Sequence, residues 1–295
     1  MIEIKGVTKV LGNKKVLDTI NLTIEDGKVF GLVGVNGAGK STLLRCLSGV
    51  YNTDSGEILI DGKPVYENPE VKKDIVLIND DPYYGMNHTI EDIKDLYQSF
   101  YAFDNEKYEK FLNLFKLDPK KSINNFSKGM KRQVFILMAL AIAPKILILD
   151  EAFDGLDPFV RLTFKRALTD LIEANDVTVI ISSHNLRELE DICDSFGILE
   201  NHTIATSGDI QSSKDTIHKI QLAFNVDITK DDLSMLDIIH FEKIGKVITL
   251  VCKGNIDDIK TSLNAMNPLL METIAISFEE LFIYEMERRG YVSYE

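Results

Sequence analysis

The residue types best suited to chemistry occur in a glycine-rich run, Gly34-Val35-Asn36-Gly37-Ala38-Gly39-Lys40-Ser41-Thr42, which has the spacing G-x-x-x-x-G-K-[ST]. Residues 28–33 before it predict a short buried strand, and residues 41–47 after it predict the first turns of a helix. This order aims backbone N–H groups and the helix dipole at one point, where a phosphate can bind. The alternative is an ordinary glycine-rich turn. The predicted nucleotide-binding residues are Gly34, Asn36, Gly37, Ala38, Gly39, Lys40, Ser41 and Thr42, with Lys40 serving the β- and γ-phosphates and Ser41 serving Mg²⁺.

A second group is a pair of carboxylates, Asp150 and Glu151, which follows the apolar run 146–149. A fully buried strand can carry such a run, and ligands of open α/β sheets lie at the carboxyl ends of the strands. We expect Asp150 to hold Mg²⁺ and Glu151 to orient and polarise the attacking water. The alternative is a strand that simply ends at the surface.

A third group, Ser127, Lys128, Gly129 and Met130, begins the apolar helix predicted over residues 134–143. Ser127 is a favourable N-cap, so this helix start can receive an anion. Because the first loop already serves one phosphate tail, we expect this second helix start to serve the nucleotide of another subunit. The alternative is a well-capped core helix.

The elements around these groups alternate between strands and helices, which predicts an α/β fold with a parallel sheet covered on both faces. Residues 90–117 switch to helical spacing and are rich in aromatic side chains. Beyond residue 210, predicted strands over 217–226, 247–251 and 273–277 and helices over 256–265 and 278–288 indicate a small α+β domain. We therefore expect two domains, residues 1–210 and 211–295.

Over residues 1 to about 210 the chain resembles the nucleotide-binding subunits of ABC transporters. Residues 125–133 are similar to the signature sequence of that family, Asp150-Glu151 to its Walker B end, residues 155–158 to its D-loop, and Ser182-Ser183-His184 to its switch histidine. The resemblance implies a P-loop NTPase core with a helical subdomain over about 82–143, and ATP and Mg²⁺ as cofactors. It also implies a head-to-tail dimer of identical or paralogous subunits, with each ATP between one P-loop and the other subunit's signature. His184 would sense the γ-phosphate.

Two positions depart from the family pattern. Leu11 stands where an aromatic residue usually stacks on adenine, so we expect weaker stacking, with Val16 or a neighbour supplying apolar contact. Asp80 replaces the usual glutamine of the Q-loop. Its carboxylate can still reach Mg²⁺ or a bound water, so Asp80 joins Ser41 and Asp150 in the predicted metal set, at the cost of a charge where the family has a neutral amide.

The variants at residues 80–83 and 127–130, together with the C-terminal domain, resemble bacterial exporters with a separate ABC-2-type permease. More narrowly, they are similar to exporters of antimicrobial or cytolytic peptides, such as phenol-soluble modulins, or to subunits that serve acetoin-associated systems. The helix over residues 278–286 is part of this resemblance, although a plain amphipathic core helix would look the same. Two other functions remain open: a non-transport ABC ATPase, for example one associated with ribosomes or DNA repair, and a regulatory module that holds ATP without hydrolysing it.

Composition limits the class of protein. The net charge of −13 disfavours a nucleic-acid partner, since phosphate backbones require a basic surface. Residues 1–5 have no signal-peptide pattern, and the longest apolar run, residues 134–143, is too short to span a bilayer. The cysteines Cys46, Cys193 and Cys252 lack metal-ligand spacing and are expected to be free, buried thiols. These features predict a cytoplasmic protein held at the inner face of the membrane by its permease.

The aromatic segment offers a place for that permease. Its candidate docking residues are Tyr83, Tyr84, Phe100, Tyr101 and Phe103. Exposed aromatic side chains often mark a partner surface, but apolar residues at helical spacing more often form a core. Docking surface and small helical core therefore remain alternative interpretations of this segment.

Overall fold

A computed structural model describes residues 1–288 of the chain. Its residues divide into two compact units, Met1–Ser207 and a second unit that begins at Gly208. The strands and helices up to the second unit are β1 (Ile2–Leu11), β2 (Lys14–Ile24), β3 (Val29–Val33), α1 (Lys40–Leu47), β4 (Ser55–Ile60), β5 (Lys63–Pro64), α2 (Pro69–Lys72), β6 (Ile75–Ile78), α3 (Ile90–Gln98), α4 (Asn105–Leu114), α5 (Lys128–Ile142), β7 (Ile146–Asp150), α6 (Pro158–Asn175), β8 (Thr178–Ser183), α7 (Leu186–Glu190), β9 (Ser195–Glu200) and β10 (Thr203–Asp209). Within residues 1–288, no helix has the length and apolar character needed to cross a membrane.

A six-stranded sheet in the order β10-β9-β3-β8-β7-β6 forms the centre of the first unit. The pairs β9–β3, β3–β8, β8–β7 and β7–β6 are parallel. Every residue of β3, β7 and β8 is buried, as expected for parallel strands covered on both faces. Because β3, β8 and β7 are neighbours, the segments that follow them meet at one edge of the sheet.

A smaller antiparallel sheet, in the order β2-β1-β4-β5, packs with α1 around a shared apolar core. Its register pairs Ile2 with Ile24 on one side and with Ile60 on the other. Leu43 and Leu44 of α1 are fully buried in the same cluster. This sheet therefore fixes both the helix that follows the glycine loop and the beginning of β2, where Val16 lies.

The helices α3, α4 and α5 begin at side-chain caps. Thr89 and Asp92 form a capping box on α3, Asp104 caps α4, and the Ser127 hydroxyl accepts a hydrogen bond from the Met130 N–H of α5. These caps fix where each helix starts, so the beginning of α5 agrees with the predicted N-cap at Ser127.

The aromatic candidates of this segment differ in exposure. Tyr83 is 92% exposed and Phe100 is 70% exposed. By contrast, the Tyr101 hydroxyl donates to the Ile75 carbonyl at 3.1 Å, and the Phe103 ring lies 5.7 Å from that of the buried Tyr108. Tyr84 is half-buried and lies 6.4 Å from the Phe135 ring. The segment thus contains both a small helical core and exposed rings.

The second unit contains α8 (Ile210–Thr216), β11 (Ile217–Ala223), β12 (Asp237–Ile244), β13 (Val247–Lys253), α9 (Ile256–Asn264), β14 (Leu270–Ile274) and α10 (Phe278–Arg288). Its antiparallel sheet has the order β12-β13-β11-β14. The prediction of strands missed β12 and placed the last strand over residues 273–277, whereas the structure has it at Leu270–Ile274. In α10, Phe278 and Leu281 are buried.

Candidate functional site

A cavity of about 440 Å³ opens at the edge of the large sheet where β3, β7 and β8 end. Most of its lining comes from the residues that the sequence singled out. The lining residues are Val16, Asn36, Gly37, Gly39, Lys40, Ser41, Thr42, Asp80, Glu151, Asp154 and His184. The cavity therefore brings together the glycine loop, the carboxylate after β7 and the histidine after β8.

The glycine loop is shaped by close contacts on one side and open space on the other. A Cβ on Gly34 would lie 2.5 Å from the Leu199 carbonyl oxygen, and one on Gly39 would lie 2.8 Å from the Val16 carbonyl oxygen. A Cβ on Gly37, whose φ is +81°, would have no neighbour within 4 Å in the described part of the chain. The loop is therefore held tightly by β2 and β9, while the backbone at Gly37 faces space that a phosphate could occupy.

The helix α1 begins at Lys40, directly after Gly39, and among the described residues no side chain caps its first turn. The N–H groups at such a helix start attract anions, because they are unsatisfied within the helix and carry the positive end of its dipole. Ser41 and Thr42 follow in the same turn and line the cavity. The helix start at which the sequence predicts phosphate binding is therefore open to the cavity.

Lys40 connects the loop with the acidic side of the cavity. Its Nζ donates to the Gly34 carbonyl at 2.7 Å and lies 3.3 Å from Glu151 Oε1, and the side chain is only 6% exposed. A buried ammonium group requires partners of this kind, since removing it from water is costly. The cation is thus positioned at the boundary between the loop and Glu151.

Glu151 follows β7 in a left-handed backbone conformation, with φ +49°, which is uncommon for a residue with a side chain. Its N–H donates to both the carbonyl and the hydroxyl of Ser182, each at 3.1 Å. Its Oε2 lies 2.9 Å from His184 Nδ1. These contacts direct the Glu151 carboxylate toward Lys40 and His184, so the three groups face one another across the cavity.

Asp150 lies behind the cavity wall. It is 2% exposed, and its Oδ1 accepts a hydrogen bond of 2.6 Å from the Ser182 hydroxyl. A second set of possible metal ligands was not predicted: ligand atoms of Glu151, Asp154 and His184 lie within 4.8 Å of one another. Carboxylate oxygens and hydroxyls suit Mg²⁺, whereas an imidazole ligand suits transition metals better. Ser41, Asp80 and Asp150 therefore remain the predicted Mg²⁺ ligands.

The signature residues lie outside this cavity lining among residues 1–288. Ser127 and Lys128 are exposed at the start of α5. Gly129 packs against the loop after β7, because a Cβ there would lie 2.4 Å from the Gly155 carbonyl oxygen. These residues are therefore not part of the cavity lining, although Lys128 Nζ lies 3.4 Å from Asp80, which is.

The two departures from the family pattern occupy different environments. Leu11 is 39% exposed at the end of β1, and Val16 lines the cavity. Asp80 also lines the cavity, but its Oδ1 lies 2.5 Å from Arg132 Nη2 and 3.4 Å from Lys128 Nζ. The Mg²⁺ role of Asp80 and the base contact of Leu11 stay predictions.

Sequence reasoning gave no role to three residues that the structure places at the site: Asp154, Ser182 and Arg132. Asp154 stands just before the run compared with the D-loop, and Ser182 stands in the run that ends at His184. The positions of Asp154 and Ser182 next to these motifs could have identified both as site residues from the sequence. The contacts of Arg132 with positions far along the chain had no signal in the sequence.

The sequence is similar to known ATP-binding proteins. A family model described as "ABC transporter" matches residues 17–154. The chain is 30% identical to the ABC transporter ATP-binding protein YtrB of Bacillus subtilis over 289 residues, which covers 96% of this chain and 97% of that protein. It is 33% identical to the methionine import ATP-binding protein MetN of Clostridium tetani, with 72% and 70% covered. It is 31% identical to the lantibiotic transport ATP-binding protein SrtF of Streptococcus pyogenes, with 68% and 86% covered.

Solved structures have a similar fold. The structure of an ATP-binding subunit of an ABC transporter matches with a TM-score of 0.67 and 28% identity, covering 72% of this chain and 92% of that one. An ATP-binding cassette solved as a dimer in a post-hydrolysis state, with ADP and phosphate bound, matches with a TM-score of 0.63 and 22% identity. It covers 71% of this chain and 99% of that one, and its likeness concerns the fold alone.

Proposed function

The chain belongs to the ATP-binding subunits of ABC transporters, and we propose that it drives peptide export through a separate membrane permease of the ABC-2 type. The expected α/β P-loop fold and the expected ATPase activity are confirmed by this family membership. Members of the family dimerise and act with membrane permeases. The direction of transport, the class of permease and the substrate are the proposed parts.

The observation that carries the proposed chemistry is the arrangement of Lys40, Glu151 and His184 around one cavity. Lys40 Nζ and His184 Nδ1 lie 3.3 Å and 2.9 Å from the two oxygens of Glu151. In our proposal, Lys40 binds the β- and γ-phosphates, Glu151 orients the attacking water, and His184 senses the γ-phosphate. A cavity of about 440 Å³ is in the usual range for a small-molecule site.

The glycine loop, Ser41 and Asp150 fit the phosphates and the cation. The open space at Gly37 and the uncapped start of α1 suit a phosphate tail, and the remaining glycine-loop residues, Gly34, Asn36, Ala38, Gly39 and Thr42, shape the loop around it. The Ser41 hydroxyl and the Asp150 carboxylate would hold Mg²⁺, because hard oxygen ligands suit this ion. Bound Mg²⁺ would neutralise charge on the transferring phosphate.

We further propose that Ser127, Lys128, Gly129 and Met130 bind the ATP of a second subunit. Their position outside the chain's own cavity, at an exposed helix start, supports a role toward another molecule. Two subunits would then enclose two ATP molecules at shared sites. The proposed nucleotide-binding domain covers residues 1–210 and the accessory domain residues 211–295.

Peptide export is supported by the likeness to SrtF, whose name assigns it to lantibiotic transport, while the MetN name assigns that relative to import. The exposed rings of Tyr83 and Phe100 support docking of the permease on the helical segment. Through this contact the protein would be held at the inner face of the membrane.

The shared sites are tested with Glu151→Gln, which spares the phosphate loop and removes the carboxylate proposed to orient water. We expect this variant to bind ATP, to lose hydrolysis, and to form a dimer with ATP and Mg²⁺ but not with ADP, as measured by light scattering. Glu173→Gln is the matched control, because Glu173 is an exposed acid of α6. The Glu173→Gln protein should hydrolyse ATP at the wild-type rate. Equal masses with ATP and ADP would contradict shared sites.

Direction and substrate are tested after co-expression with the permease identified by co-purification. Inside-out membrane vesicles should accumulate a purified lantibiotic when ATP is supplied outside, and the Glu151→Gln protein should abolish this uptake. Tyr83→Ala and Phe100→Ala should reduce permease co-purification and leave the ATPase activity of the isolated subunit intact. Failure of wild-type vesicles to accumulate the peptide would refute peptide export, while the ATPase assignment would stand.

A further inference from the structure

Arg132 lies in the first turns of α5, and its guanidinium is almost completely buried, with 1% of the side chain exposed. Nη2 donates to the Asp80 carbonyl at 2.8 Å and to Asp80 Oδ1 at 2.5 Å. Nη1 donates to the carbonyl of Asp154. One side chain thus joins the signature helix to two segments that line the nucleotide cavity and lie 52 and 22 residues away along the chain.

Burial makes this contact set strong. A guanidinium removed from water requires an acidic partner, because an uncompensated buried charge is strongly destabilising. Asp80 supplies the negative charge, whereas the other acceptors are neutral carbonyls. Arg132 Nε is buried without a hydrogen-bond partner in the described residues. The loss of a further hydrogen bond from this guanidinium would therefore be costly. The pair is therefore buried at Arg132, whereas Asp80 is 49% exposed.

The carboxylate of Asp80 is committed to this pair. Burial opposes its ionisation, yet the hydrogen bond from Arg132 and the charges of Lys128 and Arg132 lower the pKa of Asp80 below its ordinary value. Lys128 Nζ adds a second cation at 3.4 Å from the same oxygen. Because two positive charges already lie against this oxygen, they would repel a Mg²⁺ ion bound to the same carboxylate.

Asp154 closes the turn that begins at Glu151, since the Asp154 N–H donates to the Glu151 carbonyl at 3.1 Å. Glu151 itself has the uncommon left-handed backbone, so its carboxylate depends on how both ends of this turn are held. Ser182 holds the first end, and Arg132 holds the second.

We propose that Arg132 is a positioning residue that clamps Asp80 and the Glu151–Asp154 turn to the signature helix, with Asp80 as its counter-ion rather than a Mg²⁺ ligand. The clamp links the cavity of one subunit to the helix start that would serve the ATP of the other. This inference rests on the proposed roles of Glu151 and of the signature residues.

The test compares Asp80→Asn, Arg132→Lys and their double variant, with Asp81→Asn as the matched control. Asp81 is the exposed neighbouring acid in the same loop. The loss of one charge-assisted hydrogen bond should lower kcat on the order of 10-fold in each single variant. The kcat of the double variant should be no lower than that of the less active single variant, because both changes disrupt the same ion pair. KM for MgATP and the Mg²⁺ concentration for half-maximal rate should stay within about 2-fold of wild type, since the phosphate loop is unchanged.

Several outcomes would overturn the proposal. A changed Mg²⁺ requirement in Asp80→Asn, with kcat restored at saturating Mg²⁺, would make Asp80 a metal residue. Multiplying losses in the double variant, or a wild-type kcat in Asp80→Asn, would also exclude the clamp. Asp80 is 49% exposed, so Asp80→Asn remains interpretable if Arg132→Lys does not fold. The wild type's ATP-dependent rate and the Glu151→Gln dimer test the proposed function separately.

Discussion

Replacing Ser182 with alanine should damage both stability and turnover, because one buried hydroxyl contacts both the Asp150 carboxylate and the Glu151 N–H. Ser182 is fully buried, and its Oγ donates to Asp150 Oδ1 at 2.6 Å and accepts from the Glu151 N–H at 3.1 Å. A hydrogen bond to a buried charged group contributes about 1.5–3 kcal/mol. The Glu151 N–H still donates to the Ser182 carbonyl at 3.1 Å, so the loss of its hydrogen bond to the Ser182 hydroxyl adds little to the destabilisation. The expected destabilisation is therefore about 2–3 kcal/mol.

The neighbouring Ser183→Ala variant provides a matched control. Ser183 is also buried in β8, but its hydroxyl accepts only a neutral N–H from Asn185, at 2.9 Å. Its removal should cost about 1 kcal/mol. The measurement is urea unfolding, followed by the loss of nucleotide binding. With an m-value of about 2–3 kcal/mol/M, the expected destabilisation of Ser182→Ala lowers the unfolding midpoint by about 1 M.

Initial-rate ATPase assays at saturating MgATP provide the second measurement. Because Asp150 and Glu151 would both lose a positioning contact, kcat of Ser182→Ala should fall on the order of 10- to 100-fold, and Ser183→Ala should stay within about 3-fold. Equal urea midpoints and equal kcat values in the two variants would refute the reasoning, because the variants differ only in contact with the carboxylate.

Three further changes test the same site. Lys40→Ala should weaken ATP binding in calorimetry by about 10-fold or more, because the cation proposed for the phosphates is lost; unchanged affinity would exclude that role. Leu11→Tyr should tighten ATP binding several-fold by stacking on the base, whereas Val10→Tyr, whose side chain points to the opposite face of β1, should not; equal effects of the two variants would argue against stacking. Gly129→Ala should lower kcat more than ATP affinity, since the new Cβ would lie 2.4 Å from the Gly155 carbonyl oxygen and must displace this contact; a wild-type rate would show that the contact adjusts freely.

Local features of the site could be predicted from the sequence because each depends on neighbouring residues. The strand, loop and helix around Lys40 are consecutive, and the apolar run of β7 leads directly to Asp150 and Glu151. The cap at Ser127 likewise requires only the following turn. In each case the residue types dictate the backbone that holds them, and the structure has the elements where the patterns predicted them.

Strand β12 shows where a pattern fails. Its register shifts between Ile238 and His240, so the alternation of apolar and polar side chains breaks partway along the strand. Glu242 and Lys243 are exposed on the same strand. A bulged edge strand with charged residues lacks the run of β-branched and apolar side chains that β13 has over residues 247–251.

The aromatic segment shows a different limit. Helical spacing predicted its helices but could not separate Tyr83 and Phe100, which are exposed, from Tyr101 and Phe103, which pack inward. That distinction depends on which neighbours each ring meets after folding, for example the Ile75 carbonyl that accepts from Tyr101. Exposure of these rings, and hence the choice between docking surface and core, is a tertiary property.

The departures from the family pattern, separate in the sequence, divide into two kinds in the structure. Lys128 Nζ lies 3.4 Å from Asp80 Oδ1, which also contacts the buried Arg132, so the acidic Q-loop and the basic signature are parts of one ion-pair cluster. A negative charge at position 80 is compatible with the fold because two cations surround it. Leu11 is an exposed, uncharged residue at the end of β1 and is not a member of that cluster. A change at Leu11 should therefore alter nucleotide affinity alone, whereas a change at Asp80 should act through the helix that carries Arg132.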